Sequence, residues 1–322
     1  MFGYNEKYVK EHVDEIKEYQ SEVNNFEKVD NKCKKITRAT SCKGLIRDLN
    51  KRIDIDFIKE SEEIENGYSQ SIMKFLKSPN TKILQALPSQ ILFQGNKDGE
   101  ELDDFRKDIF KSAKLIAVNP KQKKWVDINH KNHLYALRKL FDEARKSRIY
   151  RRDNGKFKPL THAEILETNL DENDYSDLGR YRSPYQSSFT KVEGANWTPV
   201  SNARVSDNMD ALLEWYNNNS QGLHPFVRAA VLHAEFIRIH PFVDGNGRTA
   251  RLLMNYELIR NDYPSVVIKA RDKEAYINAL NHAITTKDVT DLVKIIESAC
   301  DETANEYINY IEDKKAFDRE MR

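Results

Sequence analysis

The sequence holds 322 residues, enough for one large domain or two small ones around a real core. Fifty-two Lys and Arg stand against fifty-one Asp and Glu, so 32% of the chain is charged while the formal balance is +1. A surface built wholly for nucleic acid or an anionic membrane is thereby excluded, leaving only local patches for such work.

Hydrophobic residues make up 39% and mean hydropathy is −0.75, low for a globular chain, yet 10% aromatics and regular apolar spacing separate it from disordered sequences. Eleven Gly and nine Pro are few, which disfavours turn-rich all-β folds and favours long helices. Cys33, Cys42 and Cys300 have neither metal-ligand spacing nor a disulfide framework, so a reducing compartment is expected. No apolar run approaches the ~18–20 residues of a membrane span, and Met1 to Gln20 is too charged for a signal peptide. A cytoplasmic protein with no membrane partner is the expectation.

In chain order, residues 1–50 read as charged helix, with Tyr8, Val9, Val13, Ile16 and Tyr19 at helical spacing and a Lys-rich break at Lys32 to Lys35. A second helix is predicted to begin at Asp54 or Asp56, either able to cap it, and to stop near Asn66-Gly67. Ser61 and Glu65 fall four and eight residues after Phe57, which puts a hydroxyl and a carboxylate on the apolar stripe with Ile64. Ser69 to Lys124 contains helical segments broken by Pro79, Pro88, Asn96 to Gly99 and Pro120, without a chemical motif. A long helix follows from about Asn132 to Tyr150. Lys121 to Asp153 carries eleven basic residues against four acidic ones, best read as a solvated helix face. A short helix starts at Leu160-Thr161. Tyr181 to Val200, with Pro184, Gly194 and Pro199 around Phe189-Thr190-Lys191-Val192, is the strand candidate, a short hairpin or extended flap.

The strongest signal runs from His224 to Arg260. Phe226, Ala229, Ala230, His233, Phe236, Ile237 and His240 share one face of a buried helix that stops at Pro241, and an apolar helix resumes with Leu252, Tyr256 and Ile259. The intervening turn suits phosphate chemistry. Gly245 and Gly247 permit left-handed turns that aim successive N–H groups at an anion, and the new helix adds its positive end. Arg248 and Arg251 supply guanidinium forks, Asp244 can hold a magnesium ion, and His240 has a pKa suited to taking a proton from a hydroxyl. His233 reads as a hydrogen-bonded core residue, and zinc on His224, His233 and His240 is disfavoured because nothing completes a recognised ligand spacing.

His240-Pro-Phe-Val-Asp-Gly-Asn-Gly-Arg248-Thr-Ala-Arg251 fills every position of H-P-F-x-[DE]-G-N-G-R-x-x-R, and on this pattern the chain resembles the Fic (filamentation induced by cAMP) family, more loosely from Thr161 to Tyr310. The resemblance implies a mainly α fold, a Fic-type helical bundle with a short β-hairpin flap, divided into an N-terminal helical region, 1–125, and a core, 126–322. It implies transfer of AMP from ATP, with Mg2+, onto a Ser, Thr or Tyr hydroxyl of a protein. His240 would be the base, Asp244 the metal ligand, and Gly245, Asn246, Gly247, Arg248 and Arg251 the ATP and phosphate site. Phe242 would anchor the loop, and Gln186 to Thr198 would align the target by β-augmentation. Gly247, where related kinases of the family carry Lys, disfavours phosphate transfer.

Ser61-Glu-Glu-Ile-Glu65-Asn66 resembles the family's inhibitory motif, [ST]-x-x-x-E-[GN], N-terminal to the core. By that resemblance Glu65 pairs with Arg251 and withholds it from the γ-phosphate. The alternatives are a de-AMPylating or dual-activity enzyme, in which Glu65 positions a water, and a non-catalytic nucleotide-binding scaffold. Self-AMPylation and a homodimer accord with the resemblance. No nucleic-acid partner is expected, since too few residues follow Tyr310 for a winged helix.

Overall fold

The computed structural model describes residues 6–39, 43–66, 120–169, 180–184, 192, 194–220 and 222–320. In order these form α1 (Glu6–Lys17), α2 (Glu27–Ala39), α3 (Lys43–Asn66), α4 (Pro120–Asn154), α5 (His162–Leu166), α6 (Val205–Glu214), α7 (Pro225–Ile239), α8 (Asn246–Arg260), α9 (Lys273–Thr286) and α10 (Thr290–Glu320), with short 3-10 turns between some of them. Among the described residues there is no strand, and the β pairing recorded is a one-residue parallel bridge between Gln20 and Asp288. The fold is mainly α.

α7 and α8 are the centre because they are buried on nearly every face, with the polar groups they carry inward, among them Arg228, Glu257 and Arg260, paired with one another. In α7, Phe226 to Ile237 and Ile239 are buried, and α8 is buried from Thr249 to Arg260. A helix buried all round must be wrapped by others. α4, α6, α9 and α10 do so, and side chains of α1, α2 and α3 (Val9, Val13, Val29, Leu49, Phe57, Ile64) join the same apolar cluster. Each fully buried Leu, Ile or Phe contributes roughly 1.5–3 kcal/mol, so the N-terminal helices are substantial parts of the core. The linker after α1 is fixed by backbone bonds: Gln20 N–H donates to the Lys287 carbonyl at 3.0 Å, and Val289 N–H to the Gln20 carbonyl at 2.9 Å.

Several boundaries differ from the sequence reading. Lys32 to Lys35 lie within α2, and the break falls instead between Lys17 and Glu27, where the side chains of Ser21 and Asn25 accept from the Val23 and Glu27 N–H groups. α3 starts at Lys43 rather than at Asp54 or Asp56. Leu49 and Ile53, both buried, carry the apolar stripe upstream of those aspartates, which are therefore interior helix residues. α4 extends beyond 132–150 at both ends. Its basic face is partly neutralised by Arg145–Asp142, Lys146–Glu143 and Arg148–Asp262 ion pairs, as a solvated face would be. α5 begins where expected, with Thr161 and Glu164 forming a reciprocal capping box. The centre of the expected hairpin, 185–191 with 193, lies outside the described residues, as does most of Ser69 to Lys124.

Candidate active site

α7 ends at Ile239, and His240 follows in the left-handed region, φ 53° and ψ 56°, which turns the chain away from the helix axis before Pro241. A non-glycine residue pays for that conformation, although His is enriched there. The His240 ring is half-buried, and its Nδ1 lies 3.4 Å from the Ile237 carbonyl. A carbonyl can only accept, so in the neutral ring Nδ1 carries the proton and Nε2 keeps the lone pair. Nε2 is the atom that can act as a base.

Phe242 is fully buried, its ring 5.7 Å from Tyr181 and 6.0 Å from Phe236 between centroids. Asn246 clips the loop onto itself: its Oδ1 accepts from Phe242 N–H and its Nδ2 donates to the Phe242 carbonyl, both at 2.8 Å. The side chain of Asn246 is thus a loop brace, and its main-chain N–H is what it can present to an anion. Gly245 is the N-cap of α8, left-handed at φ 82°, with no side chain capping the helix. The first N–H groups of α8, from Asn246, Gly247 and Arg248, have no intrahelical acceptor by geometry, which together with the dipole makes an anion site.

One expectation needs correction. Gly247 lies in the first turn of α8 and is absent from the left-handed glycines, so the second left-handed position of the turn is His240. At Gly245 the requirement for glycine is strict: besides its φ, a Cβ there would meet Asn169 Nδ2 at 2.9 Å.

Asp244 keeps 69% of its side chain exposed, with Oδ2 accepting from Arg248 Nη2 at 3.2 Å. Among the described residues no three metal-ligating side chains cluster. A lone exposed carboxylate next to an anion loop fits magnesium, which takes one or two protein carboxylates and fills its shell with water and phosphate oxygens.

Arg251, one turn into α8, is 2% exposed. Its Nε donates to Ser61 Oγ and its Nη2 to the Ser61 carbonyl, each at 2.8 Å. Ser61 is itself 2% exposed, on the stripe of α3 that carries Phe57 and Ile64. α3 is further held by Glu60, whose Oε2 accepts from Ala270 N–H at 2.8 Å, and by an Arg52–Glu306 ion pair at 2.9 Å. Glu65 and Asn66 form the last turn of α3, and their side chains lie outside the described residues.

Two residues outside the motif brace the loop. Asn169 Nδ2 donates to the Asp244 carbonyl at 2.9 Å. Arg182, 5% exposed, donates to the His240 carbonyl through Nε at 2.7 Å. Burial lowers the pKa of Arg182 from its ordinary value, and a guanidinium remains charged regardless. Neither residue carries a sequence signal of its own, because both act on main-chain atoms far away in the chain. Tyr181 next door is pushed above the usual phenol range by burial and the Asp210 carboxylate, and its hydroxyl is 2.8 Å from His162 Nδ1. His233 is fully buried with Nε2 2.6 Å from the Tyr276 hydroxyl, as a core histidine should be.

Residues 159–258, which span this whole arrangement, match the family model described as "Fic/DOC family". The chain contains a Fic/DOC family domain. It is 35% identical over 150 residues to a protein adenylyltransferase Fic of Nematostella vectensis, covering 46% of this chain and 31% of that protein. A Drosophila grimshawi protein of the same name is 39% identical over 153 residues, covering 46% and 30%. The matched part is therefore about three tenths of each relative's length. Among solved structures, a Fic domain containing signaling protein from Bacteroides thetaiotaomicron superposes with TM-score 0.60 at 24% identity, covering 90% of this chain and 97% of that one. Fic-1 from Caenorhabditis elegans gives TM-score 0.51 at 19% identity, covering 94% and 70%. These likenesses establish the Fic fold.

Proposed function

We propose that the protein is a protein adenylyltransferase held in check by α3. The observation that carries this reading is the loop between α7 and α8, which puts a histidine with its lone pair on Nε2 at one end and an uncapped helix N-terminus followed by two arginines at the other. ATP would lie with its phosphates over Gly245, Asn246, Gly247 and Arg248, and Asp244 would hold Mg2+, which supplies charge neutralisation at the phosphates when bound. His240 Nε2 takes the proton of a Ser, Thr or Tyr hydroxyl on a protein target. The hydroxyl oxygen bonds to the α-phosphorus as the bond to the bridging oxygen breaks, and pyrophosphate leaves. The protein itself is one such target, which would appear as self-AMPylation.

In this reading Arg251 grips the γ-phosphate in the active form, and the docked α3 denies it. Ser61 supplies two described acceptors to that guanidinium, and Glu65, one turn further along α3, is the proposed inhibitory carboxylate, with Asn66 ending the helix. An arginine that donates to Ser61 through Nε and Nη2 cannot present the same edge to phosphate.

The test is ATP labelled in turn at the α- and γ-phosphorus, given to Glu65→Gly and to Glu65→Gly/His240→Ala. Label should pass to protein from the α position alone and fall by about 10²–10⁴-fold without the base. Transfer of γ-label, or equal transfer without His240, would refute the assignment.

A further inference from the structure

The carbonyls at the end of α7 can be followed one by one. A helix C-terminus leaves its last carbonyls without intrahelical donors, and a buried terminus must satisfy them elsewhere. Phe236 O accepts from His240 N–H at 2.9 Å, and Arg238 O from Val200 N–H at 3.3 Å. The next three all go to one residue. Ile239 O accepts from Arg182 Nη2 at 3.1 Å, His240 O from Arg182 Nε at 2.7 Å, and Pro241 O from Arg182 N–H at 2.7 Å.

The same guanidinium also donates to Val200 O at 2.8 Å and to Asn202 Oδ1, on the segment that leaves the expected flap. That segment is pinned from its other side by Asn281, which accepts from Trp197 Nε1 and donates to the Gly194 carbonyl, both at 2.9 Å. Arg182 is placed by its neighbour, since the Tyr181 ring packs on Phe242 and its hydroxyl meets His162, whose Nε2 reaches Asp210 at 2.9 Å. A planar fork with rigidly spaced donors suits several fixed carbonyls, and a Lys ammonium does not.

We infer that Arg182 is a positioning residue for His240, holding the left-handed turn that aims the imidazole and tying that turn to the base of the flap, so that base and target segment move as one unit. This rests on the reading of His240 as the base. A base misplaced by an ångström loses rate without losing nucleotide, because the phosphate contacts lie on the far side of the loop. Arg182 should therefore govern kcat rather than the KM for ATP.

The experiment uses the full chain in the Glu65→Gly background and compares Arg182→Lys and Arg182→Gln with the parent. For each variant, kcat and KM for ATP, thermal unfolding and the 15N imidazole resonances of His240 are measured. The expected result is a fall in kcat of about 10–100-fold in both variants, with KM for ATP within about threefold, and displaced His240 resonances in protein that still unfolds cooperatively. Unchanged kcat with unchanged resonances overturns the inference, as does a parallel loss of ATP affinity and thermal stability, which would mark a purely structural role. If the Glu65→Gly parent itself transfers no AMP, the functional reading fails, and displaced or undisturbed His240 resonances still decide whether Arg182 positions the ring.

Discussion

Two buried arginines lie on α8, and they are held in different ways. Arg260, 3% exposed, pairs with Glu257 at 2.7 Å within its own helix, and its guanidinium lies over the rings of Phe157 at 4.2 Å and Tyr216 at 4.5 Å. Glu257 also takes Arg228 Nε at 2.7 Å and the Tyr216 hydroxyl at 2.6 Å, so the cluster closes on itself inside the core. Arg251, nine residues earlier, is held by Ser61, 190 residues away, on a different helix. One arginine cannot leave without unfolding the core. The other is held across two helices, and in the proposed reading it is the one a shift of α3 would release.

Breaking the first cluster should have the largest effect. Glu257→Ala leaves Arg228 and Arg260 buried without their shared carboxylate, a loss of about 3–5 kcal/mol for a buried ion pair. Denaturant unfolding should show it as a large drop in midpoint. Cutting the Arg251 grip should cost less stability than that while raising activity. Ser61→Ala removes the Oγ acceptor and leaves the carbonyl, and a hydrogen bond to a charged group is worth ~1.5–3 kcal/mol, so AMP transfer should rise about tenfold. A rate no higher than wild type would mean that Ser61 does not restrain Arg251.

A smaller, pH-dependent effect sharpens the contrast. Asp54 on α3 is pushed up to about 7 by desolvation against α4, a shift that the Arg145 and Arg138 charges only partly oppose. Its folded pKa lies above the unfolded value near ~3.9, so the folded state binds the extra proton and stability falls as pH rises through that interval toward 7. α3 should therefore sit tighter at pH 5.5 than at pH 8. Asp54→Asn should flatten this dependence, read as thermal unfolding and as basal AMP transfer at the two pH values, with a change of about 1–2 kcal/mol.

The centre of the site was legible because its signals are local. Apolar residues at helical spacing, Pro241 as a stop and Gly245 as a turn fix α7, the loop and α8 from sequence alone. The buried position of Ser61 was legible for the same reason, four residues from Phe57 on one stripe. The start of α3 was not, since Asp54 and Asp56 have the chemistry of caps while the apolar pattern of Leu49 and Ile53 continues past them. Gly247 was misassigned to a left-handed turn because a glycine at the start of a helix and one in a turn look alike in sequence. Arg182 and Asn169 left no trace at all. Their partners are main-chain carbonyls brought to them by the tertiary fold, 58 and 75 residues away.

The most direct test of the α3 brake is the initial rate of AMP incorporation from α-labelled ATP and magnesium by wild type and Glu65→Gly, with nucleotide affinity measured alongside. Removing the proposed inhibitory carboxylate should raise the rate by at least about tenfold, the equivalent of one charge-assisted contact to Arg251. Equal rates in two folded, ATP-binding proteins would contradict it.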